Sequence, residues 1–497
     1  MRLIELALAA GKGALALVPE ISLTPQTVAR FRRRLGEVAV LHSHLGDGER
    51  AEHWRRLRSG SVRVAVGARS AVFAPIRDLG VVVVDEEQER SYKQENDPRY
   101  NARDVALVRA HSAGAVAVLG SATPSLESWA NAVSGKYRLI GLASRPAGAV
   151  PPRVEVVDLR REWTETKRPV LVSRRLERAL AECLDRREQA IIFLNRRGYH
   201  TVVRCAACGE AVLCRNCDVA MTHHKGAGLL RCGCCGSERS VPEACPACGA
   251  AVLRFLGSGT ERAEDVLAKL FPRARLLRMD SDSMTARDAH ERSLAAFARG
   301  EYDVLLGTQM IAKGLDFPNV TLAGVLLADG ALGMSDFRAA ERTFQLVAQV
   351  IGRAGRAGKA GLAVVQAFQP DHPAVAAAAA QDYRAFVQDE LADRERLGYP
   401  PGGRLCRVVI QGERDGSVQE AAEAAGRAAR ETRPNGCRLL GPAVCEVERR
   451  QGEFRRHMLL LTPDSRILAE WLDQAGIVPG AGSGARLLLD IDPVSMI

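Results

Sequence analysis

Eight cysteines between Cys205 and Cys248 fall into four C-x-x-C pairs: Cys205/Cys208, Cys214/Cys217, Cys232/Cys235 and Cys245/Cys248. Each pair can bring two thiolates to one ion. Four thiolates close a tetrahedral zinc shell, so the eight suit two structural zinc ions. The spacing favours nested pairing, with Cys205, Cys208, Cys245 and Cys248 on one ion and Cys214, Cys217, Cys232 and Cys235 on the other. Consecutive pairing is also compatible with the sequence. Cys234 is a ninth thiol outside either set, although it could exchange with Cys235. His223 and His224 read as exposed loop residues, because the cysteines already suffice. The module could serve purely as a staple or also help to grip DNA or a partner.

A second chemistry is suggested by Val81–Val84 followed by Asp85-Glu86-Glu87-Gln88. At the end of a buried strand, an α/β nucleotide site places the carboxylate that holds Mg²⁺ and the group that orients the attacking water. In that reading Asp85 serves the metal and Glu86 is the base; a strand ending in solvated acids is the plainer alternative. Gly120-Ser121-Ala122-Thr123-Pro124 follows the next strand, where its hydroxyls either link the nucleotide site to a bound strand or simply cap a helix. In Gln349–Arg356, Arg353 and Arg356 are three apart. They are expected to share a helix face thinned by Gly352 and Gly355 and to stabilise a γ-phosphate, with Gln349 beside them. Gly307–Gly314 offers Thr308, Gln309 and Lys313 at a strand end for a phosphate backbone. Tyr92-Lys93-Gln94 and Arg99–Arg103 mix aromatics with cations and could stack and neutralise single-stranded DNA; a solvated loop is the competing reading.

Two α/β units must position these groups. Ala14–Val18, Val62–Val66, Val81–Val84 and Ala115–Leu119 read as buried strands, with helices at Thr27–Leu35 and Gly48–Arg58 between them, which implies a parallel sheet. The second unit begins with a helix near Ser173 and the strand Ala190–Leu194. It resumes after the cysteines with strands at Arg275–Met279, Asp303–Leu306, Ala323–Leu327 and Ala363–Gln366. After Pro400-Pro401-Gly402-Gly403, strands at Leu405–Ile410, Met458–Leu461 and Leu487–Ile491 and a helix at Val418–Thr432 suggest an α+β end. The expected organisation is a first lobe at 1–143, a linker at 144–172, a second lobe at 173–202 and 252–384 carrying the zinc module at 203–251, and a C-terminal domain at 385–497.

Bulk composition leaves the partner open, since spread-out arginines could simply aid solubility, and the clustered cysteines fit a reducing compartment and hence the cytoplasm. The 497 residues carry a formal charge of +10, which favours nucleic acid or an acidic surface as partner. Clustered C-x-x-C pairs in a large chain read as metal ligands rather than disulfides. No apolar run approaches the ~20 residues of a membrane span. Arg2 before Leu3–Ala10 mimics a signal peptide, but Glu5 interrupts the run and Lys12 follows it, so the stretch reads as an amphipathic helix ending near Gly11.

Taken in order, these segments resemble the PriA family of replication-restart helicases, within superfamily 2. The resemblance rests on Val18–Gln26, Gly67–Phe73, Asp85–Gln88 and Gly120–Pro124 in the first lobe. It continues through Leu194–Gly198, the eight cysteines, Gly257–Glu261, Gly307–Met310 and Gln349–Arg356, and ends at Leu489–Pro493. It implies two RecA-like lobes with ATP and Mg²⁺, nested cysteine pairs on two Zn²⁺, and 3′→5′ unwinding of forked and single-stranded DNA. As partners it implies other primosome proteins and the replicative helicase or its loader. Two departures stand out. The family's fourth motif-II residue, a histidine, is Gln88 here. The family's G-x-x-G-x-G-K-T loop is not matched by Gly11-Lys12-Gly13, which precedes a strand and lacks the hydroxyl residue; this puts ATP hydrolysis by this polypeptide in question and suggests a misplaced start or a fragment. The loop's strand lies inside the family's first sheet, so its loss is expected to unpair two neighbours and open an apolar slot. A zinc-dependent, non-enzymatic DNA scaffold is the second reading, and a zinc-ribbon RNA or transcription factor the third.

Overall fold

The computed structural model describes residues 1–19, 25–43, 45–142, 151–166, 171–194, 201–215, 220–224, 228–232, 236–256, 260–279, 289–308, 311, 317–334, 336–355, 359–481 and 484–496. Glu20–Thr24, Asn195–His200, Cys217, Cys234, Cys235, Gly257–Gly259, Gln309, Met310, Ala312–Gly314 and Arg356 lie outside the described residues. The chain forms two compact units, Met1–Arg138 and Leu139–Ile497.

The first unit contains α1 (Arg2–Ala9), β1 (Gly13–Leu17), α2 (Pro25–Leu35), β2 (Ala39–Leu41), α3 (Asp47–Ser59), β3 (Val64–Gly67), β4 (Leu79–Asp85), α4 (Ala102–Ser112), β5 (Val116–Gly120) and α5 (Leu126–Val133). Its sheet is parallel in the order β2-β3-β1-β4-β5. Alternate residues of β1 serve opposite faces. Ala14 and Ala16 pack with Ile4 of α1 and Val28 and Phe31 of α2. Leu15 and Leu17 pack with Leu57 of α3 and Ala106 of α4. Helices on both faces explain why β1 is apolar throughout, and each fully buried leucine contributes roughly 1.5–3 kcal/mol. Two expectations are corrected. The sheet runs unbroken from β2 to β5, so no slot divides the described strands. β5, expected to be buried, is an edge strand with β4 as its one neighbour, which leaves Val116 62% exposed.

The second unit contributes β6 (Arg153–Asp158), β7 (Gln189–Leu194), β8 (Thr201–Cys205), β9 (Thr222–His224), β10 (Leu229–Arg231), β11 (Glu238–Ser240), β12 (Leu253–Leu256), β13 (Leu276–Met279), β14 (Val304–Gly307), β15 (Val320–Leu326), β16 (Leu362–Ala367), β17 (Arg404–Gly412), β18 (Arg438–Arg450), β19 (Glu453–Thr462), β20 (Gly480–Ala481) and β21 (Arg486–Ile491). A parallel sheet runs β13-β14-β7-β15-β16-β6. Its edge strand β6 falls in the stretch read as linker: the charged Arg153, Glu155 and Asp158 suit an edge and mask the strand in the sequence. The cysteine-rich segment forms an antiparallel sheet, β11-β10-β9-β8-β12.

A third sheet, antiparallel β18-β19-β17-β21-β20, closes the C-terminal region. Helices Asp415–Glu431 and Ser465–Gln474 cover one face, where Trp471 is fully buried and donates from Nε1 to Ala429 O at 3.0 Å. Helix Tyr383–Leu397, capped by Asp382, runs through the boundary expected at 385. Its Arg394 donates to Glu341 at 2.9 Å and to Glu390 at 2.9 Å, and burial pushes the Glu390 carboxyl up to about 7.

Candidate nucleotide and zinc sites

The parallel order of the first sheet brings the ends of β4 and β5 side by side, with Asp85 opposite Gly120. Asp85 reaches solvent at this open end, yet neighbouring residues displace part of its hydration and push its carboxyl above the usual range. The next residue turns sharply: Glu86 has φ +46°, a left-handed conformation that costs a non-glycine residue roughly 1–2 kcal/mol. The turn separates the roles of the acids. Gln88 Nε2 donates to Glu86 Oε2 at 2.6 Å, Ser121 Oγ donates to Gln88 Oε1 at 2.6 Å, and Thr123 N donates to Ser121 Oγ at 2.9 Å. The amide thereby ties Glu86 to the turn after β5. Gln88 cannot be reversed without facing its carbonyl toward the Glu86 carboxylate.

Glu87 points inward, 3% exposed. It accepts from Ser125 N at 2.7 Å, Ser125 Oγ at 3.1 Å, Ser128 Oγ at 2.9 Å and Arg103 Nη1 at 3.1 Å. Burial alone would lower the Arg103 pKa, but Asp104, Glu87 and Glu127 more than offset it and keep the guanidinium charged. Neither role was visible in the sequence, where Glu87 had no assigned role and Arg103 was grouped with cations for single-stranded DNA.

The aromatic–cation stretch is corrected in detail. Tyr92 is 1% exposed and spends its hydroxyl on Asp85 O at 2.7 Å, so it is not a stacking platform. Lys93 and Arg103 are buried or ion-paired. Within the stretch, Glu95–Pro98 are exposed and Tyr100 is half-buried; the exposed Phe73, from outside it, stands edge-on to Tyr100 at 5.0 Å.

Gln349 lies on the last turn of helix Ala339–Ile351, and the helix stops two residues before Arg353. Arg353 therefore lies past the helix end, and Arg356, its expected companion, lies outside the described residues. Gly355, four residues past the helix, has φ +76°, its N–H donating to Val320 O at 3.2 Å, and a Cβ there would meet Gly361 N at 2.8 Å. Asp85 and Glu86 belong to the first unit, Gln349 and Arg353 to the second.

The zinc residues are more completely assembled. The Sγ atoms of Cys205, Cys208, Cys245 and Cys248 all lie within 4.8 Å of one another. Cys205–Cys248 and Cys208–Cys245 are each 3.6 Å apart, close to the about 3.8 Å edge of a tetrahedron with Zn–S near 2.3 Å. The four thiols fit zinc. One turn geometry recurs in the module: Gly209 N donates to Cys205 O and Gly249 N to Cys245 O at 2.9 Å, and Gly236 N to Cys232 O at 3.0 Å. Of the inner set, Cys214 and Cys232 pack in one cluster with Met221 and Leu230, and Cys214 Sγ lies 3.1 Å from Ser237 Oγ.

The outer cysteines are fastened to the parallel sheet by a buried pair that the sequence did not reveal. Arg204 donates to Gly209 O at 3.0 Å and Asp329 O at 3.2 Å, and its Nη1 lies 3.6 Å from the Asp329 carboxylate. That carboxylate also accepts from Phe368 N at 3.1 Å and Gln369 N at 3.0 Å.

Comparison with known proteins follows the same division. Residues 2–132 match the DEAD/DEAH box helicase model and 252–358 the helicase conserved C-terminal domain. Residues 214–239 match the PriA DNA helicase Cys-rich region and 395–494 the primosomal protein N C-terminal domain. The chain is 46% identical over 456 residues to the replication restart protein PriA of Bacillus subtilis (strain 168), covering 91% of this chain and 56% of that protein. It is 41% identical over 493 residues to PriA of Chlamydia pneumoniae, covering 98% and 66% respectively. Identity to PriA of Treponema pallidum (strain Nichols) is 41% over 503 residues, covering 100% of this chain and 75% of that protein.

Proposed function

Because this chain belongs to the PriA family of replication restart proteins, we propose that it serves replication restart as an ATP-dependent 3′→5′ DNA helicase core acting on forked and single-stranded DNA. The observation that carries this reading is the hydrogen-bonded chain Glu86–Gln88–Ser121. It links the carboxylate suited to orient a water to the turn after β5, so a movement of that turn would reach the hydrolytic base. Mg²⁺–ATP, when bound, supplies the phosphoryl chemistry. Asp85 would hold the metal and Glu86 orient and deprotonate water; from the second unit Arg353 and Arg356 would neutralise phosphate charge and Gln349 would hydrogen-bond to the nucleotide. Phe73 and Tyr100 offer an aromatic surface for unpaired bases.

Zinc is the second cofactor of the proposal, on two ions: one on Cys205, Cys208, Cys245 and Cys248, the other on Cys214, Cys217, Cys232 and Cys235. The first would hold the module as a rigid body against the second lobe through Arg204 and Asp329. Its expected partners are other primosome proteins and the replicative helicase or its loader. No helix among the described residues is long and apolar enough to cross a membrane.

The alternative is a zinc-dependent DNA scaffold, supported by the four-thiol site and the basic charge of the chain. Hydrolysis of ATP by the zinc-loaded chain, with and without forked DNA, separates the two. The motor reading expects DNA-stimulated turnover that Glu86→Gln abolishes. Turnover no greater than a protein-free control would overturn it and leave the scaffold.

A further inference from the structure

In a parallel sheet every strand starts at the same end. Here that end lies opposite Asp85, and it is lined by cations. Lys12 precedes β1, Arg63 precedes β3, and Arg77 and Asp78 precede β4. The sheet order β3-β1-β4 sets the three starts side by side, at spacings of about 4.8 Å. Backbone bonds hold them there: Ala14 N donates to Arg63 O and Gly13 N to Asp78 O, both at 2.9 Å. We infer that this end of the first unit is a second nucleic-acid contact, a phosphodiester-binding surface made by Lys12, Arg63 and Arg77, with Arg109 behind them.

Lys12, Arg63 and Arg77 are exposed, and among the described residues none of the three stands within ion-pair distance of a carboxylate. Arg77 makes one long bond, 3.5 Å to Ser59 O. Arg109 is committed differently, donating to the carbonyls of Val72 and Ala74. Lys12, Ile76, Asp78, Leu79, Arg109 and Ala113 line a hollow of about 400 Å³ at this end. Asp78 is the one carboxylate in the group, against four cations. The three exposed cations span two strand spacings, roughly 10 Å. That span matches a run of phosphates, each about 3.4 Å along a strand, better than one small anion. A structural role competes with this reading: α1, α3 and α4 end here, and cations are favourable at helix C-termini. Lys12, Arg63 and Arg77 donate to no helix-terminal carbonyl except through the long Arg77 bond, which argues for an external counter-charge.

The inference rests on the DNA-binding reading above. The test is binding of the zinc-loaded chain to a fluorescent forked DNA between 50 and 200 mM KCl, compared with a Lys12→Gln, Arg63→Gln, Arg77→Gln variant. Each lost phosphate contact removes about 0.9 from the slope of log K against log salt, so the slope is expected to shrink by about 2–3 with the melting temperature unchanged. An unchanged slope with a lowered melting temperature overturns the surface and assigns the cations to the helix ends. An equal loss of slope on converting the exposed Arg178, Arg384 and Arg433 of the second unit to Gln assigns the effect to net charge and also overturns it. A parent chain that binds no forked DNA overturns the DNA-binding reading itself, a result distinct from an unchanged slope in a chain that binds.

Discussion

Replacing Glu87 by alanine tests how the acidic turn is held. Its side chain is 1% exposed and pairs with Arg103, itself 12% exposed. Three further hydrogen bonds, from Ser125 N, Ser125 Oγ and Ser128 Oγ, fasten it to the start of α5. Removing one partner of a buried pair typically costs roughly 3–5 kcal/mol, because the other charge stays buried. Arg103 keeps Asp104 at 2.9 Å, which argues for the lower figure, about 3 kcal/mol. For the unit Met1–Arg138, each kcal/mol shifts the midpoint by about 4 °C, so its transition should fall by roughly 12 °C. Glu87→Gln keeps an acceptor and should fall by about half as much. Differential scanning calorimetry of the three proteins at equal zinc content reads both shifts. A Glu87→Ala midpoint within about 3 °C of the parent, as for a surface acid, would refute the clamp.

Three other outcomes follow from the geometry. Burial raises Glu390 to about 7 from an ordinary 4.5, so the stability carried by its neutral form is complete below about 4.5 and is lost as pH rises through about 7. Glu390→Gln should therefore melt like the parent at pH 4.5 and higher at pH 8, by up to about 3 kcal/mol; a lower melt at pH 8 would contradict this. Cys245→Ser should remove one zinc of two by elemental analysis, and an unchanged metal content would count against the outer set. Gly209→Ala places a Cβ 2.5 Å from Phe368 O at φ +82°. It should cost roughly 2 kcal/mol and speed zinc release to a chelator, whereas parental release kinetics would deny the tight docking of that turn.

What the sequence disclosed and what it hid divide along physical lines. Runs such as Val81–Val84 announce a strand buried on both faces, because no other environment tolerates four consecutive valines at so little cost. C-x-x-C pairs are local, so the cysteines were legible before any fold. The three-residue β2 and the charged edge strand β6 lack enough periodicity to register. β18 is broken by Gly441-Pro442 and crowded with charges, and was missed for the same reason. Fates set by distant residues were hidden too. Tyr92 is buried by the fold around Asp85, and Glu87 finds its partners 16 to 41 residues away. The turn after the helix Ala339–Ile351 is fixed where Gly355 meets Gly361 and Val320. Asp85 and Glu86 drew notice by their expected place at a strand end, and β4 does end at Asp85. Gln88 drew notice only as a departure from the family's histidine, and its bond to Ser121 needed the register of β4 with β5.

The most direct measurement is the affinity of the zinc-loaded chain for a forked DNA against a linear duplex of equal length at one salt concentration. On the proposed function the chain is predicted to bind the fork at least about tenfold more tightly, a difference of roughly 1.4 kcal/mol. Equal affinities would reduce its DNA binding to charge alone and contradict the account.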